Sequence, residues 1–107
     1  MVESGIFREH LQLLLLNILE SGPQSGLQII QQVQERTGGF FDLRMGHLYP
    51  VLHELEQDQQ VLGEFRATSR GGALVKYYAL TPRGSHEVQA RKSELEQLTR
   101  TLPFLLR

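Results

Sequence analysis

Between Gly46 and Gly84 the apolar residues change their period, and this change limits what the chain can fold into more than any other feature of it. Leu48, Leu52 and Leu55 recur at helical spacing behind a start near Met45 or Gly46, so this segment is expected to be a helix with one buried face. From Val61 the spacing shortens. Val61 to Thr68 and Leu74 to Thr81 are enriched in β-branched and aromatic residues and read as two strands, with Ser69-Arg70-Gly71-Gly72 as the hinge between them. Pro50 falls in or just after the first helical turn, where it removes few intrahelical bonds. A helix followed directly by a basic hairpin is an arrangement suited to reading DNA.

Upstream, Phe7, Leu11, Leu14, Leu15, Ile18 and Leu19 mark a first helix, with Leu13 and Leu16 adding apolar surface on another side. Ser21-Gly22-Pro23 should end it. Ser25 with Gln28 forms a capping box, which places a second helix from about Gly26 to Thr37 with Leu27, Ile30 and Val33 as its apolar stripe. Gly38-Gly39 closes that helix, and Phe40, Phe41 and Leu43 are expected to plug the core. Beyond the hairpin, Thr81 is a capping residue and Pro82 a first helical residue, opening a last helix to about Thr101 that Pro103 should end. That helix carries Val88, Leu95 and Leu102 at seven-residue spacing with Leu98 between them, a narrow seam suited to a partner helix.

The element order, three helices, strand, wing, strand, helix, is that of a winged helix-turn-helix. The expected fold is therefore mainly α with a small β-hairpin. Residues 1–81 form the DNA-binding part, and 82–107 a C-terminal dimerisation helix of the same compact unit. With 107 residues, 40% of them hydrophobic, the core is modest and association is a natural source of further stability. Helices one and four are the expected interface, through Phe7, Leu11, Leu15, Val88, Leu95, Leu98 and Leu102; packing of helix four on helix one of the same chain is the alternative.

Net charge is −1, which by itself argues against nucleic acid, but its distribution does not. Residues 1–43 have five acidic against two basic groups and 44–61 three against one; residues 62–83 set Arg66, Arg70, Lys76 and Arg83 against Glu64 alone. The positive charge thus gathers on the hairpin.

Catalysis finds no support in the sequence. His10, His47, His53 and His86 form no i, i+4 pair and meet no acidic residue at a zinc-binding spacing, and no phosphate-cradling or nucleophile-elbow motif is present. Cysteine is absent, which removes disulfides and thiolate chemistry. The longest apolar run, Leu11 to Leu19, is interrupted by Gln12 and Asn17 and is too short to span a bilayer. No cofactor and no membrane partner are expected, and the location is expected to be cytoplasmic.

Three segments in order resemble the PadR-type transcriptional regulators of bacteria. They are Ile18-Leu19 with Ser21-Gly22-Pro23 and Gly26-Leu27-Gln28-Ile29; Gly46-His47-Leu48-Tyr49-Pro50-Val51-Leu52-His53-Glu54-Leu55-Glu56; and Gly71-Gly72 followed by Lys76-Tyr77-Tyr78-Ala79-Leu80-Thr81-Pro82-Arg83-Gly84. The likeness spans about Leu11 to Val88. The short C-terminal region looks like the family's compact branch, within which the cyanobacterial clock-associated Pex proteins are one candidate relative. The resemblance implies a homodimeric repressor on double-stranded DNA, with the third helix in the major groove, the wing on the backbone or minor groove, and the last helix at the dimer interface. Two departures stand out. Gln59 occupies the turn after helix three where the family commonly has glycine, and Ala73, Leu74 and Val75 follow the wing glycines where arginine is common.

On this reading the DNA-contacting residues are Arg44, His47, Tyr49, Pro50, His53, Arg66, Arg70, Gly71 and Lys76. The arginines and Lys76 would grip phosphates, while His47, Tyr49 and their neighbours would meet base edges or phosphates. Some have a plainer alternative: a solvated surface for the histidines, packing beneath the wing for Tyr49, and a cross-strand ion pair for Arg66. Glu54, Glu56 and Asp58 would repel phosphate, so the first turns of helix three are the expected reading surface. A small-molecule effector at the dimer interface stays open, with Phe7 and Phe104 as the aromatic candidates. A winged-helix module that binds protein instead of DNA is the competing function.

Overall fold

The computed structural model describes residues 5–39, 42–68 and 71–106, with side chains from His10 onward. Its elements are α1 (Gly5–Leu19), β1 (Gln24–Ser25), α2 (Gly26–Arg36), α3 (Met45–Gln57), β2 (Val61–Ala67), β3 (Leu74–Leu80) and α4 (Pro82–Leu105). The fold is the expected winged helix-turn-helix, enlarged by one short strand. Two residues at β1 pair antiparallel with β3, Gln24 with Tyr78 and Ser25 with Tyr77, which makes a three-stranded sheet in the order β1-β3-β2.

Leucine density makes α1 the centre of the core: Leu11, Leu15, Leu16, Ile18 and Leu19 are all buried. Its end is closed by the Ser21 hydroxyl, which donates to the Ile18 carbonyl at 2.9 Å, and by Gly22 at φ +129°. The capping box of α2 forms as expected: the Gln28 amide N–H donates to Ser25 Oγ (3.3 Å), and the Ser25 N–H donates to Gln28 Oε1 (3.0 Å).

The buried stripe of α2 is Gly26, Ile29 and Val33, not the expected Leu27, Ile30 and Val33; Leu27 is 57% exposed. The reason is Gly26, whose missing side chain lets α3 approach so closely that a Cβ there would lie 3.1 Å from Tyr49 Oη and 3.4 Å from Leu48 Cδ2. Seating Gly26 inward turns Leu27 outward. Leu43 is buried as expected, while Phe40 and Phe41 lie outside the described residues.

In α3, Leu48, Val51, Leu52 and Leu55 are buried. Pro50 is the sixth residue of this helix, so one bond, to the Gly46 carbonyl, is lost; Gly46 is exposed, and water can satisfy that oxygen. β2 and β3 pair from Val61↔Leu80 to Ala67↔Leu74, and Gly71 and Gly72 turn at φ +74° and +77°.

The joint between wing and α4 is built on Thr81. Its hydroxyl accepts from the Gly84 N–H (3.0 Å) and donates to the Gln59 carbonyl (2.6 Å). A Cβ on Gly84 would collide with the Gln60 carbonyl oxygen, so only glycine fits beneath this turn. Along α4, Val88 is buried, and Lys92 pairs with Glu20 at the end of α1 at 3.1 Å.

Two expectations for α4 are corrected. Pro103 does not end the helix, which runs on to Leu105: only the bond to the Thr99 carbonyl is lost, the end is exposed, and the fixed φ of proline is helical. The expected dimer seam also divides. Leu11, Leu15 and Val88 have 2%, 0% and 0% of their surface exposed within a single chain, so they belong to its own core. Leu95, Leu98 and Leu102 remain exposed; the Phe7 side chain lies outside the described residues.

Candidate nucleic-acid interface

The capless start of α3 presents its polar residues to solvent. Arg44 holds the N-cap position in extended conformation without a side-chain cap bond, and the backbone at Gly46 is bare, with nothing within 4 Å of where a Cβ would stand. His47, Pro50 and His53 are exposed on the face opposite the buried leucines. These residues share one surface because the apolar face of α3 is anchored on α1 and α2.

Tyr49 is 46% exposed, and its ring rests on the first turn of α2 through the Gly26 contact, near enough to Tyr78 of β3 to act on its phenol. It therefore ties the two helices of the helix-turn-helix while leaving one edge of its ring to solvent. Sequence reasoning missed this contact, and glycine directly after a capping serine was the available signal.

Each described basic group of the expected site has an acidic neighbour. Arg44 meets Asp42 at 2.9 Å with both side chains mostly in water. Arg66 meets Glu64, two residues along the same strand, at 3.4 Å, and its guanidinium lies 5.3 Å from the centre of the Tyr77 ring. Neither is the cross-strand pair considered from sequence. Exposed pairs of this kind contribute about 0–1 kcal/mol, so both arginines can exchange the carboxylate for a phosphate at little cost. Lys76 differs: it is half-buried and meets Glu56 of α3 at 3.2 Å. Gly71 is exposed at the wing tip, and Arg70 lies outside the described residues.

Tyr78 is buried behind this surface. Burial, and after it the Glu56 carboxylate and Tyr49, push its phenol up to about 12. Among the described residues no cluster of histidines and carboxylates could hold a metal ion, and no helix is long and apolar enough to cross a membrane.

A helix-turn-helix with an exposed third helix, flanked by a two-stranded wing and followed by a long projecting helix, defines a winged-helix regulator scaffold. The sequence identifies which one. Residues 15–90 match the PadR-like family of transcriptional regulators, and the chain belongs to that family, whose members are regulators and not enzymes. Among individual proteins, an uncharacterized protein X of Lysinibacillus sphaericus is 32% identical over 84 residues, 78% of this chain and 76% of that protein. A PadR family regulator from Clostridium difficile is 27% identical, with a TM-score of 0.80 over 90% of this chain and 97% of its own. PadR of Bacillus subtilis, solved in complex with operator DNA, is 25% identical, with a TM-score of 0.66 over 75% of this chain and 45% of that one. The clock-associated protein Pex from Anabaena, at 23% identity and a TM-score of 0.70 over 88% of this chain and 83% of its own, shares the fold.

Proposed function

We propose that this regulator is a homodimeric, sequence-specific DNA-binding repressor acting on a pseudo-palindromic operator. One observation carries the reading: Arg44, His47, Tyr49, Pro50 and His53 are all exposed at the start and along the first turns of α3, in a scaffold like that of Bacillus subtilis PadR, which was solved on operator DNA. On this proposal the first turns of α3 enter the major groove, and Arg44, Arg66, Arg70 and the backbone at Gly71 engage phosphates. The acidic end of α3 is held away from DNA by its own charge.

The dimer is supported at the far end of the molecule. Leu95, Leu98 and Leu102 are 38%, 47% and 36% exposed along α4, and a cavity of about 340 Å³ opens between α1 and α4 beside Leu13, Leu14 and Leu95. A second copy on this face would bury the exposed leucines and set two reading helices about one DNA turn apart, ~34 Å. An effector could reach the same interface, where Phe104 is exposed.

A specific observation favours the competing reading of a protein-binding module: Arg44, Arg66 and Lys76 all lie against carboxylates. Titration of the chain into labelled DNA from upstream of its own gene, at several salt concentrations, separates the two. Binding with a log–log salt slope of about 0.9 per phosphate neutralised is expected. Absence of a shift, or binding insensitive to salt, overturns the DNA reading.

A further inference from the structure

Lys76 was expected to be a phosphate ligand, and its surroundings suit another task. Its Nζ lies 3.2 Å from Glu56 Oε1 on the last turn of α3, 5.3 Å from the centre of the Tyr78 ring and 5.8 Å from that of Phe65. Phe65 stands directly across the ladder from Lys76, and Tyr78 two residues along the same strand, so both rings share its face of the wing. The ammonium is enclosed by two aromatic faces and one carboxylate, each favouring a cation.

Gly63 supplies an independent observation. A Cβ at this position would collide with Lys76 Cε and lie 2.7 Å from Glu56 Oε2. Its φ is not in the left-handed region, so the backbone does not require glycine there. The space it leaves is filled by the ion pair.

We propose that Lys76, Glu56 and Gly63 form a clamp that fixes the angle of the wing against the reading helix, making Lys76 a positioning residue and not a phosphate ligand. The two ends of the clamp are 20 residues apart in sequence and join β3 to α3 directly, across the strand that links them. A phosphate reaching this lysine would have to displace a half-buried carboxylate that itself repels phosphate. The task of the clamp rests on the DNA-binding reading above; its existence does not.

The test compares Lys76→Met, Glu56→Gln and the double variant, all checked for folding by thermal melting, with two readouts. In operator titrations each single variant is expected to bind about three- to tenfold more weakly with the salt slope unchanged. The double variant restores the net charge of the wild type and is expected to stay as weak as the worse single variant, because the joint is still missing. In amide hydrogen exchange, residues 75–77 are expected to exchange faster in all three. Lys76→Met lowering the salt slope by about one while Glu56→Gln tightens binding would make Lys76 a phosphate ligand and overturn the clamp. A double variant that regains wild-type affinity, or unchanged exchange in β3, also overturns it. Wild-type protein that binds no DNA removes the regulatory reading alone, and exchange still decides whether the clamp exists.

Discussion

The two ends of this molecule differ in what their charged groups and their helix-borne leucines meet. At the α3–wing end the described cations are already matched inside the chain, Arg44 with Asp42, Arg66 with Glu64 and Lys76 with Glu56. At the α1–α4 end an apolar row, Leu95, Leu98 and Leu102, faces outward among charged neighbours along a helix of 24 residues. Charge pairing leaves a contact reversible and sensitive to salt; exposed leucine leaves a cost that only burial removes. On the proposed function, the contrast assigns lasting association to one end and adjustable recognition to the other.

The sharpest way to break this comparison is inside the expected seam, where Leu15 and Leu98 lie on opposite sides of the division. Leu15→Ala is expected to cost about 2–5 kcal/mol in urea unfolding, because it leaves a cavity in a closed core. Leu98→Ala removes a side chain 47% exposed and is expected to cost under ~1 kcal/mol within the single chain. Similar losses at low protein concentration would return Leu98 to the core. Leu98→Glu then tests association itself. It should give a monomer by light scattering and weaken operator binding at least about hundredfold, the gain that linking two half-sites supplies. A dimer that survives this charge moves the interface elsewhere.

Local signals made most of the scaffold legible. Ser25 with Gln28, Gly22-Pro23, Gly71-Gly72 and Thr81-Pro82 each act through neighbours a few residues away, so their meaning could be read without knowing the fold. What escaped was set at a distance. Strand β1 is two residues long and exists because Tyr77 and Tyr78 offer it an edge. The outward turn of Leu27 depends on Gly26 meeting Tyr49, 23 positions away. Of the expected site, the exposed face of α3 was legible from its spacing. The engagement of Lys76 was not, since Glu56 and the gap at Gly63 lie on other elements.

Between the two ends, Tyr78 tests how closely the recognition surface is packed on the core. The fold favours the neutral phenol, whose value rises from 10.0 to about 12. Its contribution is therefore complete below pH ~10 and is lost as pH climbs from there to about 12, by roughly 2 kcal/mol. Tyr78→Phe should be less destabilised than wild type across that window in chemical denaturation. Parallel pH curves for the two proteins would mean that the ring is solvated and the wing loosely seated.

The smallest expected effect compares the ends of two helices that close in the same way with different residues. After α2 the Gly39 N–H bonds the Gln34 carbonyl (2.9 Å) and the Gly38 N–H the Glu35 carbonyl (3.4 Å), with Gly38 at φ +58°. After α3 the Gln60 N–H bonds the Leu55 carbonyl (2.9 Å) and the Gln59 N–H the Glu56 carbonyl (3.0 Å), with Gln59 at φ +60°. Both are Schellman closures, and the left-handed position that glycine fills without strain costs glutamine about 1 kcal/mol. Gln59→Gly is therefore expected to stabilise the chain by about 0.5 kcal/mol at most after the extra entropy of the unfolded glycine, and Gly38→Gln to destabilise it by a similar amount. The Gln59 carbonyl would still accept from Thr81, so the joint to α4 is kept. Because Gln59 directly follows the helix that carries Glu56, operator affinity should stay at its wild-type value while the midpoint of denaturation rises. A gain in stability accompanied by weaker binding would mean instead that strain at this turn helps to aim the wing.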